Sequence, residues 1–468
     1  MAAITTTAAR SHPRRRSELG LLLVGVVVVE VANLLTWLGV YNRFPPNVVP
    51  FTVILLAFAL AGNVVNRFLV PEADPIILPV VLVLNGLGFV MMERLEPYLS
   101  NYAPHLAGNQ AVWTFVGLLG YVATMLVFRR SRDLERYRYI LLALAFILLL
   151  LPLMPGLKDN AADSGGAYLW VRLGPVSFQP VEFSKLLLVA FFASYFVEKR
   201  ELLTMATSRL GNRLVPDLRS FGPIALAWLA SLGVILLERD VGFSLILFVL
   251  FLTMLWVVTG RWLYVVLGVV AFAVGIFVAA HVLANVDVRM TVWLDPWKYV
   301  SQNYRGYSTP GYQPAFGEVA MAQGGATGSG LGLSGAWQIP VAQSDYVFAA
   351  LGNELGLVGT SAIVVAFVLL VGSGLRIAAR ARSDFAKLVA LGFTFVLGFQ
   401  SFVIMAGVTR ILPLTGVTLP FVSYGGSSLI ANYVLIAFLM RISNESSGPV
   451  LTEPPQMIGH RSVAPAGV

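Results

Sequence analysis

The sequence predicts an all-α, polytopic membrane protein with about twelve transmembrane helices. Hydrophobic residues occupy 57% of the 468 positions, charged residues occupy only 12%, and the mean hydropathy is +0.78. An average water-soluble domain carries about twice that charged fraction. Apolar stretches long enough to cross about 30 Å of hydrocarbon recur along the whole chain. These observations exclude a soluble enzyme.

The apolar stretches set the positions of the predicted helices. A crossing needs roughly 20 residues, and twelve stretches come close to this length. Their approximate bounds are 19–41, 49–67, 75–93, 109–128, 138–155, 180–197, 221–238, 241–259, 262–284, 346–374, 386–407 and 425–441. The first is too long for the apolar region of a signal peptide, and no small-x-small cleavage site follows it. It is therefore predicted to remain as a span.

The basic residues predict the orientation of the chain. About two thirds of the 32 lysines and arginines fall on the cytoplasmic side if the N-terminus is placed inside, as the positive-inside rule expects. Residues 1–18 then form a basic cytoplasmic tail, and residues 442–468 form a disordered cytoplasmic tail rich in Ser, Pro and Gly. The net charge of +8 reflects the membrane orientation, and no nucleic-acid partner is predicted.

Two predicted outer segments are longer than ordinary connections between spans. They cover residues 156–179 and residues 285–345. The second is rich in Gly, Gln, Tyr, Trp and Pro, which favours ordered structure on or in the outer leaflet. Any chemistry is therefore expected on the outer face.

Charged residues interrupt the start of the sixth apolar stretch. The motif R-L-G-P-V-S-F-Q-P-V-E-F-S-K at 172–185 places Glu182 and Lys185 at i, i+3 on one helix face, just after Pro180. Charges inside a membrane are costly unless they pair or face a water-filled cavity. The pair either orients the helix or lines a cavity for an anionic headgroup, to which Arg172 would add positive charge.

The large outer segment contains one candidate general base. Asp295 lies in W-L-D-P at 293–296, beside Trp293 and Trp297. An apolar, aromatic setting desolvates a carboxylate and raises its pKa toward working pH. An aspartate before a proline is also a common turn former, so both interpretations stay open. The glycine-rich run at 324–335 lacks the G-K-S/T ending of a phosphate loop, and it favours close backbone packing or a flexible lid.

Two later motifs direct polar groups toward the same end of the predicted bundle. S-D-Y-V-F-A-A-L-G-N-E-L-G-L-V-G at 344–359 separates Asp345 from Glu354 by nine residues, so that both could share a helix face toward one cavity. P-F-V-S-Y-G-G-S-S at 420–428 opens the last stretch. Its small residues permit close helix contact, and its backbone N–H groups equally suit a phosphate.

Missing residue types exclude several other kinds of site. The chain has no cysteine, which excludes disulfides, thiolate metal sites and a cysteine nucleophile. Its four histidines are far apart in sequence, so a histidine cluster for metal hydrolysis is not predicted.

In this order, the motifs resemble the SEDS family, the shape, elongation, division and sporulation proteins typified by RodA and FtsW. The most specific parts are R-L-G-P-V-S-F-Q-P-V-E-F-S-K, G-Y-Q at 311–313, S-D-Y-V-F-A with N-E-L-G-L-V-G, and P-F-V-S-Y-G-G-S-S. The resemblance covers about 137–441, which it marks as the catalytic core.

Family members usually have ten spans, three of them before Q-P-x-E. Five precede it here, which implies a two-helix extension within 19–136. This extension and E-R-D-V-G at 238–242 are closer to the RodA-like elongation branch.

The resemblance implies a peptidoglycan glycosyltransferase of the bacterial cytoplasmic membrane, which polymerises lipid II with release of polyprenyl diphosphate for cell elongation and shape. Such a reaction needs a base for the 4-hydroxyl of the incoming N-acetylglucosamine. The family's essential aspartate lies in a stretch with two D-P pairs before G-Y-Q, and only Asp295–Pro296 is present here. Other departures are Gly317, Glu318 and Asn353. Asp295 is therefore the implied base, with a displaced base or lost activity as open alternatives.

The resemblance also implies the substrate site and the partner. The expected substrate-binding residues are Arg172, Gln179, Glu182, Lys185, Tyr312, Gln313, Asp345, Glu354, Tyr424, Ser427 and Ser428. The implied partner is a class B penicillin-binding protein, a transpeptidase. A divalent cation, Mg or Mn, could neutralise charge on the leaving diphosphate, although the outer segments show no carboxylate cluster that would hold one.

Two functions of other classes remain open on the sequence. A lipid II flippase would use the same polar residues inside the membrane. An inactive scaffold for the transpeptidase would explain the altered outer segment. Polymer formation from lipid II distinguishes the glycosyltransferase from both.

Overall fold

A helix covers each of the twelve predicted apolar stretches in the computed structural model. The structure describes residues 11–99, 105–130, 132–154, 156–157, 169–173, 176–204, 208–210, 213–215, 218–237, 240–282, 284–300 and 310–447. The helices are α1 (Ser11–Tyr41), α2 (Val48–Leu69), α3 (Ile77–Leu99), α4 (Leu106–Val127), α5 (Arg132–Arg136), α6 (Arg138–Leu150), α7 (Val181–Thr204), α8 (Leu218–Leu237), α9 (Val241–Thr259), α10 (Trp262–Val282), α11 (Ala284–Leu294), α12 (Tyr312–Gly324), α13 (Val347–Arg380), α14 (Asp384–Val408) and α15 (Gly426–Ser447). The predicted all-α fold is confirmed.

Most of these helices have the dimensions of membrane spans. Among the described residues, eight are long and apolar enough to cross a bilayer, namely α1 to α4, α9, α13, α14 and α15. Shorter apolar helical stretches lie in α6, α8 and α10. The remaining predicted stretch, 180–197, is covered by α7, which carries Glu182 and Lys185 in its first turns. The polytopic architecture is confirmed, and the count of twelve spans stays a prediction.

Short elements lie between the long helices. Two hairpins of three-residue strands, which the sequence analysis did not predict, pair β1 (Val171–Leu173) with β2 (Val176–Phe178) and β3 (Ser208–Leu210) with β4 (Arg213–Val215), all antiparallel. In the large outer segment, α11, α12 and two single turns of 3₁₀ helix confirm the expected ordered structure. Residues 301–309 of that segment lie outside the described residues.

The N-terminal tail is shorter than predicted. The first helix already begins at Ser11, and Arg15 and Glu18 are buried. Arg15 pairs with Glu18 at 2.6 Å, and Glu18 accepts hydrogen bonds from Asn63 (2.9 Å) and Asn66 (2.7 Å) of α2. The buried carboxylate therefore has a charge partner and donors, as burial requires. Part of the predicted tail 1–18 thus belongs to the packed extension.

The C-terminal tail also begins later than predicted. The last helix continues to Ser447, so that residues 442–447 are helical rather than disordered. Ser443 Oγ accepts a hydrogen bond from the N–H of Asp74 (3.0 Å), and Asn444 Oδ1 accepts one from the N–H of Glu72 (2.9 Å). These side chains tie the last turn of α15 to the connection between α2 and α3. The remainder, 448–468, lies outside the described residues.

The interior of the bundle is formed by α7, α9, α14 and α15, whose side chains are mostly buried. Around them, α4 packs on α15, α13 on α14, α6 on α7, and the extension packs through α1 on α3. Small residues allow the close approaches. A side chain at Gly88 of α3 would collide with the backbone of Phe421 and Val422, which precede α15. Packing through small residues is the usual way membrane helices associate.

The glycine-rich run at 324–335 completes the backbone hydrogen bonding of α13. Gly356 interrupts this helix with φ 66° and ψ −165°. The freed groups are satisfied by the run, because Leu357 N–H donates to Gly325 O (2.9 Å) and Gly330 N–H donates to Glu354 O (3.0 Å). Backbone groups in a membrane-embedded bundle need such internal partners. The close backbone packing expected for this run is therefore what the structure shows.

Replacing Gly356 should destabilise the protein. The Gly356→Ala variant would carry a Cβ at positive φ, against the amide nitrogen of Gly328. We expect a loss of about 1–3 kcal/mol, measured as thermal unfolding in detergent. Gly372→Ala in the same helix is the matched control, because no heavy atom lies within 4 Å of its added Cβ. Equal stability of the two variants would contradict this account of the break.

Candidate active site

A cavity with charged and apolar lining residues lies where α11, the start of α12 and the loop before α13 meet the loop after α14. Its volume is about 230 Å³. This is the end of the bundle that the charge pattern places outside. The cavity is lined by Val288, Arg289, Val292, Trp293, Pro310, Gln313, Pro314, Asp345, Tyr346, Gly407, Arg410, Leu412, Leu414 and Gly416. Two arginines and one aspartate are its charged groups among the described residues.

Arg289 and Asp345 face each other across this cavity. Arg289, on α11, donates from Nη1 to the carbonyl oxygens of Thr415 (3.1 Å) and Leu414 (3.5 Å). A side chain at Gly416 would lie 3.7 Å from Asp345 Oδ2 and 3.9 Å from Arg289 Nη2. Gly416 has φ 75°, a conformation that favours glycine. Glycine at this position keeps the space between the two charged groups open.

Asp345 has the electrostatics of a functional carboxyl group. It lies in the loop before α13, outside the spanning helices, and it is half-buried. Burial raises its pKa to about 6, while the hydroxyl of Ser344 and the guanidinium of Arg289 act to lower it. A carboxyl group with a pKa near working pH can exchange a proton during a reaction. Asp345 is the predicted site residue that most clearly reaches the cavity.

Asp295 lies at the rim, two residues beyond Trp293. Its side chain is exposed, and Oδ1 accepts a hydrogen bond from the N–H of Lys298 (3.2 Å) at the start of a 3₁₀ turn. The expected aromatic shielding is incomplete because Trp297 is 53% exposed. Trp293 is half-buried, but its indole points to the carbonyl of Arg410 (3.0 Å). The desolvation predicted for Asp295 is therefore absent, although its position beside the cavity fits a base acting on a bulky substrate.

Glu182 and Lys185 form a buried ion pair away from this cavity. Lys185 Nζ donates to Glu182 and to Gln400 Oε1 (2.8 Å), and it lies 5.3 Å from the ring centre of Phe243. Gln400 Nε2 in turn donates to Thr418 O (2.9 Å). Glu182 Oε1 is buried and has no hydrogen-bond partner among the described residues. The structure thus shows the predicted pairing, with one acceptor unsatisfied.

Glu354 does not share a cavity with Asp345, so that expectation is wrong. Its carboxylate accepts from Arg94 Nε (2.9 Å), from Ser334 Oγ (3.0 Å) and from the N–H of Gly332 (3.2 Å). The two carboxylates do not share a helix face because Asp345 precedes α13 instead of lying within it. Glu354 holds the glycine-rich run against α3, and no sequence signal connected it with Arg94.

The other predicted substrate-binding residues are spread over the same end of the bundle. Arg172 lies exposed on β1. Tyr312 is the first residue of α12, and its ring packs against Phe316 at an interplanar angle of 31°, with ring centres 4.0 Å apart. Gln313 lines the cavity and donates to Pro340 O (3.4 Å). Their role in substrate binding stays a prediction.

The residues around 424–428 make structural contacts. Ser427 Oγ accepts from the N–H of Gln179 (2.8 Å), and Ser428 Oγ accepts from Thr418 Oγ1 (2.8 Å). The hydroxyl of Tyr424 accepts from Asn109 Nδ2 (3.3 Å). These contacts join the start of α15 to α4, to the segment before α7, and to the loop before α15. The interpretation of this motif as a close helix contact is supported, and the predicted phosphate contact stays a prediction.

The guanidinium of Arg289 suits the cavity to an anionic group, whereas the guanidinium of Arg410 is paired with Glu318 at 2.7 Å. Neither arginine was among the site residues predicted from the sequence, and Arg410 lies in an unremarkable turn between two apolar stretches. Guanidinium groups are well suited to phosphate oxygens. Within the part of the chain that the structure describes, no group of three or more His, Asp or Glu residues comes together as a metal site.

Comparisons with known proteins agree on one family. A family model described as Cell cycle protein, covering FtsW, RodA and SpoVE, matches residues 75–448 and so begins after α2. The peptidoglycan glycosyltransferase RodA of Mycobacterium tuberculosis H37Rv is 37% identical over 444 residues, which are 94% of this chain and 93% of that protein. The probable peptidoglycan glycosyltransferase FtsW of Geobacter sp. M18 is 30% identical over 382 residues, which are 80% of this chain and 98% of that protein.

Solved structures share the fold. A chain of a peptidoglycan synthase complex that coordinates polymerization and crosslinking superposes with a TM-score of 0.62 at 27% identity, covering 80% of this chain and 98% of that one. The RodA of Thermus thermophilus superposes with a TM-score of 0.56 at 24% identity, covering 81% of this chain and 98% of that one. On sequence and on structure, the chain belongs to the FtsW, RodA and SpoVE family of cell cycle proteins.

Proposed function

We propose that this protein is a peptidoglycan glycosyltransferase that polymerises lipid II for cell elongation and shape. The observation that carries the proposal is the cavity with Arg289, Arg410 and Asp345, bordered by the turn of Asp295. Relatives at 37% identity over 94% of the chain are peptidoglycan glycosyltransferases of the RodA type. The aligned residues make up 93% of the length of those relatives.

The reaction exchanges one bond at a sugar carbon for another. The 4-hydroxyl oxygen of an incoming N-acetylglucosamine bonds to the anomeric carbon of the chain's N-acetylmuramic acid. The bond from that carbon to the diphosphate oxygen breaks, and the polyprenyl diphosphate leaves with the electron pair. Asp295 at the rim takes the hydroxyl proton, a contribution of about 100- to 10,000-fold. Arg289 is placed to stabilise the charge on the leaving diphosphate.

The membrane setting follows from the helices and the relatives. The protein is a multi-pass protein of the bacterial cytoplasmic membrane, with eight helices that have the length and apolarity of spans among the described residues. The charge bias supports cytoplasmic placement of both termini. The site then opens on the outer side, where a lipid-linked precursor presents its sugar.

A class B penicillin-binding protein is the proposed partner. The support is the structural likeness to a chain of a synthase complex that couples polymerization to crosslinking. Lipid-facing aliphatic residues of the late helices, such as Val365 and Val368 of α13, are exposed and offer packing surface for a transmembrane helix. Copurification from the native membrane without any such transpeptidase would contradict this partner.

A divalent cation is not placed in the proposed mechanism. Mg or Mn could still reach the site bound to the substrate's own diphosphate, where it would neutralise charge. Among the described residues, the cavity is lined by one carboxylate, Asp345, and two arginines.

Incubating the purified protein with lipid II in liposomes, alone and with the transpeptidase partner, tests the function. We expect glycan polymer. Transbilayer movement of lipid II without polymer would assign a flippase, and neither activity would assign a scaffold. A flippase remains the second candidate because Glu182 and Lys185 are charged residues in a spanning region.

A further inference from the structure

Arg410 makes an unusual set of contacts at the edge of the cavity. Its Nε donates to Trp293 O (3.1 Å), its Nη2 donates to Leu294 O (3.2 Å), and its Nη1 donates to Glu318 Oε1 (2.7 Å). All three guanidinium nitrogens are thus engaged with two other elements, α11 and α12. The planar fork of an arginine holds such an arrangement in one geometry, which a flexible ammonium would not.

The backbone at Arg410 is part of the same arrangement. The indole Nε1 of Trp293 donates to the carbonyl oxygen of Arg410 (3.0 Å), so that Trp293 and Arg410 bind each other in both directions. Arg410 has φ 58°, in the region that normally favours glycine. A strained conformation at a bulky residue persists only where its surroundings hold it, and such positions cluster at functional sites.

The carbonyls that Arg410 binds belong to the end of α11. Trp293 and Leu294 are the last residues of this helix, and their carbonyl oxygens have no partner within the helix. A cation at a helix C-terminus both satisfies these oxygens and complements the helix dipole. The next residue in the chain is Asp295. Arg410 therefore fixes the exact stretch of backbone from which the proposed base projects.

Glu318 orients the arginine from the other side. It lies on α12, six residues after Tyr312, and its side chain is 29% exposed against 31% for Arg410. An isolated ion pair at this exposure adds little stability by itself. The ion pair acts on geometry. With Nη1 of Arg410 bound to Glu318, Nε and Nη2 point at the carbonyl oxygens at the end of α11. The family resemblance gives no account of Glu318, which departs from the usual motif after G-Y-Q.

We propose that Arg410 and Glu318 form a clamp that positions the turn of Asp295 for catalysis. The proposal rests on the proposed function, and it names Arg410 and Glu318 as positioning residues. The clamp joins the loop after α14 to α11 and α12, so that the base and the cavity move as one unit. Small displacements of a reacting group cost up to about 100-fold in rate, which is the scale on which such a clamp acts.

Arg410→Gly is the sharpest test. Glycine adopts the positive φ without strain, so the variant removes all three donors without a new backbone clash. We expect kcat for lipid II polymerisation to fall by about 10- to 100-fold with little change in KM, since the substrate contacts at Arg289 and Asp345 remain. Wild-type kcat in a folded Arg410→Gly variant would overturn the proposal.

A charge exchange separates positioning from simple ion pairing. The double variant Glu318→Arg, Arg410→Glu restores one ion pair, but glutamate cannot donate to the carbonyls of Trp293 and Leu294. We expect it to polymerise no faster than Arg410→Gly. Recovery of wild-type kcat would overturn the clamp and leave only an ion pair. Glu318→Gln keeps an acceptor for Nη1 and should lose less than Arg410→Gly.

The position of the turn can be measured without activity. The chain has no native cysteine, so Trp297→Cys and Ile411→Cys, at two exposed positions on the two sides of the clamp, can carry spin labels. We expect a narrow distance distribution that broadens in the Arg410→Gly background. An unchanged distribution would overturn the clamp. If the wild type forms no polymer, the proposed function fails, and this distance measurement decides on the clamp alone.

Discussion

Asp295→Asn should lower the rate of lipid II polymerisation at least about 100-fold while folding and lipid II binding survive. A sugar hydroxyl has a pKa far above neutrality, so a base must accept its proton as the new bond forms. Asparagine keeps the shape of the side chain and its capping bond to Lys298, and it removes the basicity. The measurement is the initial rate of polymer formation by purified protein at saturating lipid II.

Asp384→Asn is the control for this substitution. Asp384 is an exposed aspartate at the start of α14, paired with Arg200 at 3.0 Å, and it lies outside the proposed site. It should polymerise at the wild-type rate. If Asp295→Asn does so too, Asp295 is a turn residue. The next base to test is then Asp345, because Glu318 and Glu354 are already bound by Arg410 and Arg94.

Lys185→Met should lower the free energy of unfolding by about 3–5 kcal/mol. The side chains of Lys185 and Glu182 are 5% and 0% exposed, so the substitution leaves a buried carboxylate without its cation. Thermal unfolding in detergent measures the loss. The double variant Lys185→Met, Glu182→Gln removes both charges and should regain most of the stability. Equal loss in single and double variants would contradict the ion-pair account.

The double variant also separates the two interpretations of this pair. If the charges only orient α7, the stable double variant polymerises lipid II like the wild type. If they bind the headgroup, polymerisation stays low although the protein is folded. The substrate-binding interpretation is retained because Glu182 Oε1 is buried and has no hydrogen-bond partner among the described residues.

The helices were predictable because each depends on a contiguous run of apolar residues. A run of about 20 such residues has one stable conformation in a bilayer, whatever its neighbours do. The ends were less predictable. Helix α15 extends to Ser447 because Ser443 and Asn444 bind the backbone before α3, and these contacts join positions more than 360 residues apart. No local pattern in a polar tail reports such partners.

The candidate site was predictable by residue type and only partly by arrangement. Asp345 and Gln313 reach the cavity as expected, and Glu182 and Lys185 pair as their spacing indicated. The environment of Asp295 and the partners of Glu354 were not predictable, because they depend on Arg410 and Arg94, which come from distant segments. Burial of a side chain in a loop is set by such tertiary contacts, whereas helix periodicity is set locally.

The most direct test of the central claim is the release of polyprenyl diphosphate from lipid II by the purified protein, counted against the glycosidic bonds formed. The account predicts one polyprenyl diphosphate for each new bond, with both products lost together in Asp295→Asn. Intact lipid II after incubation with the folded wild-type protein and its transpeptidase partner would contradict it.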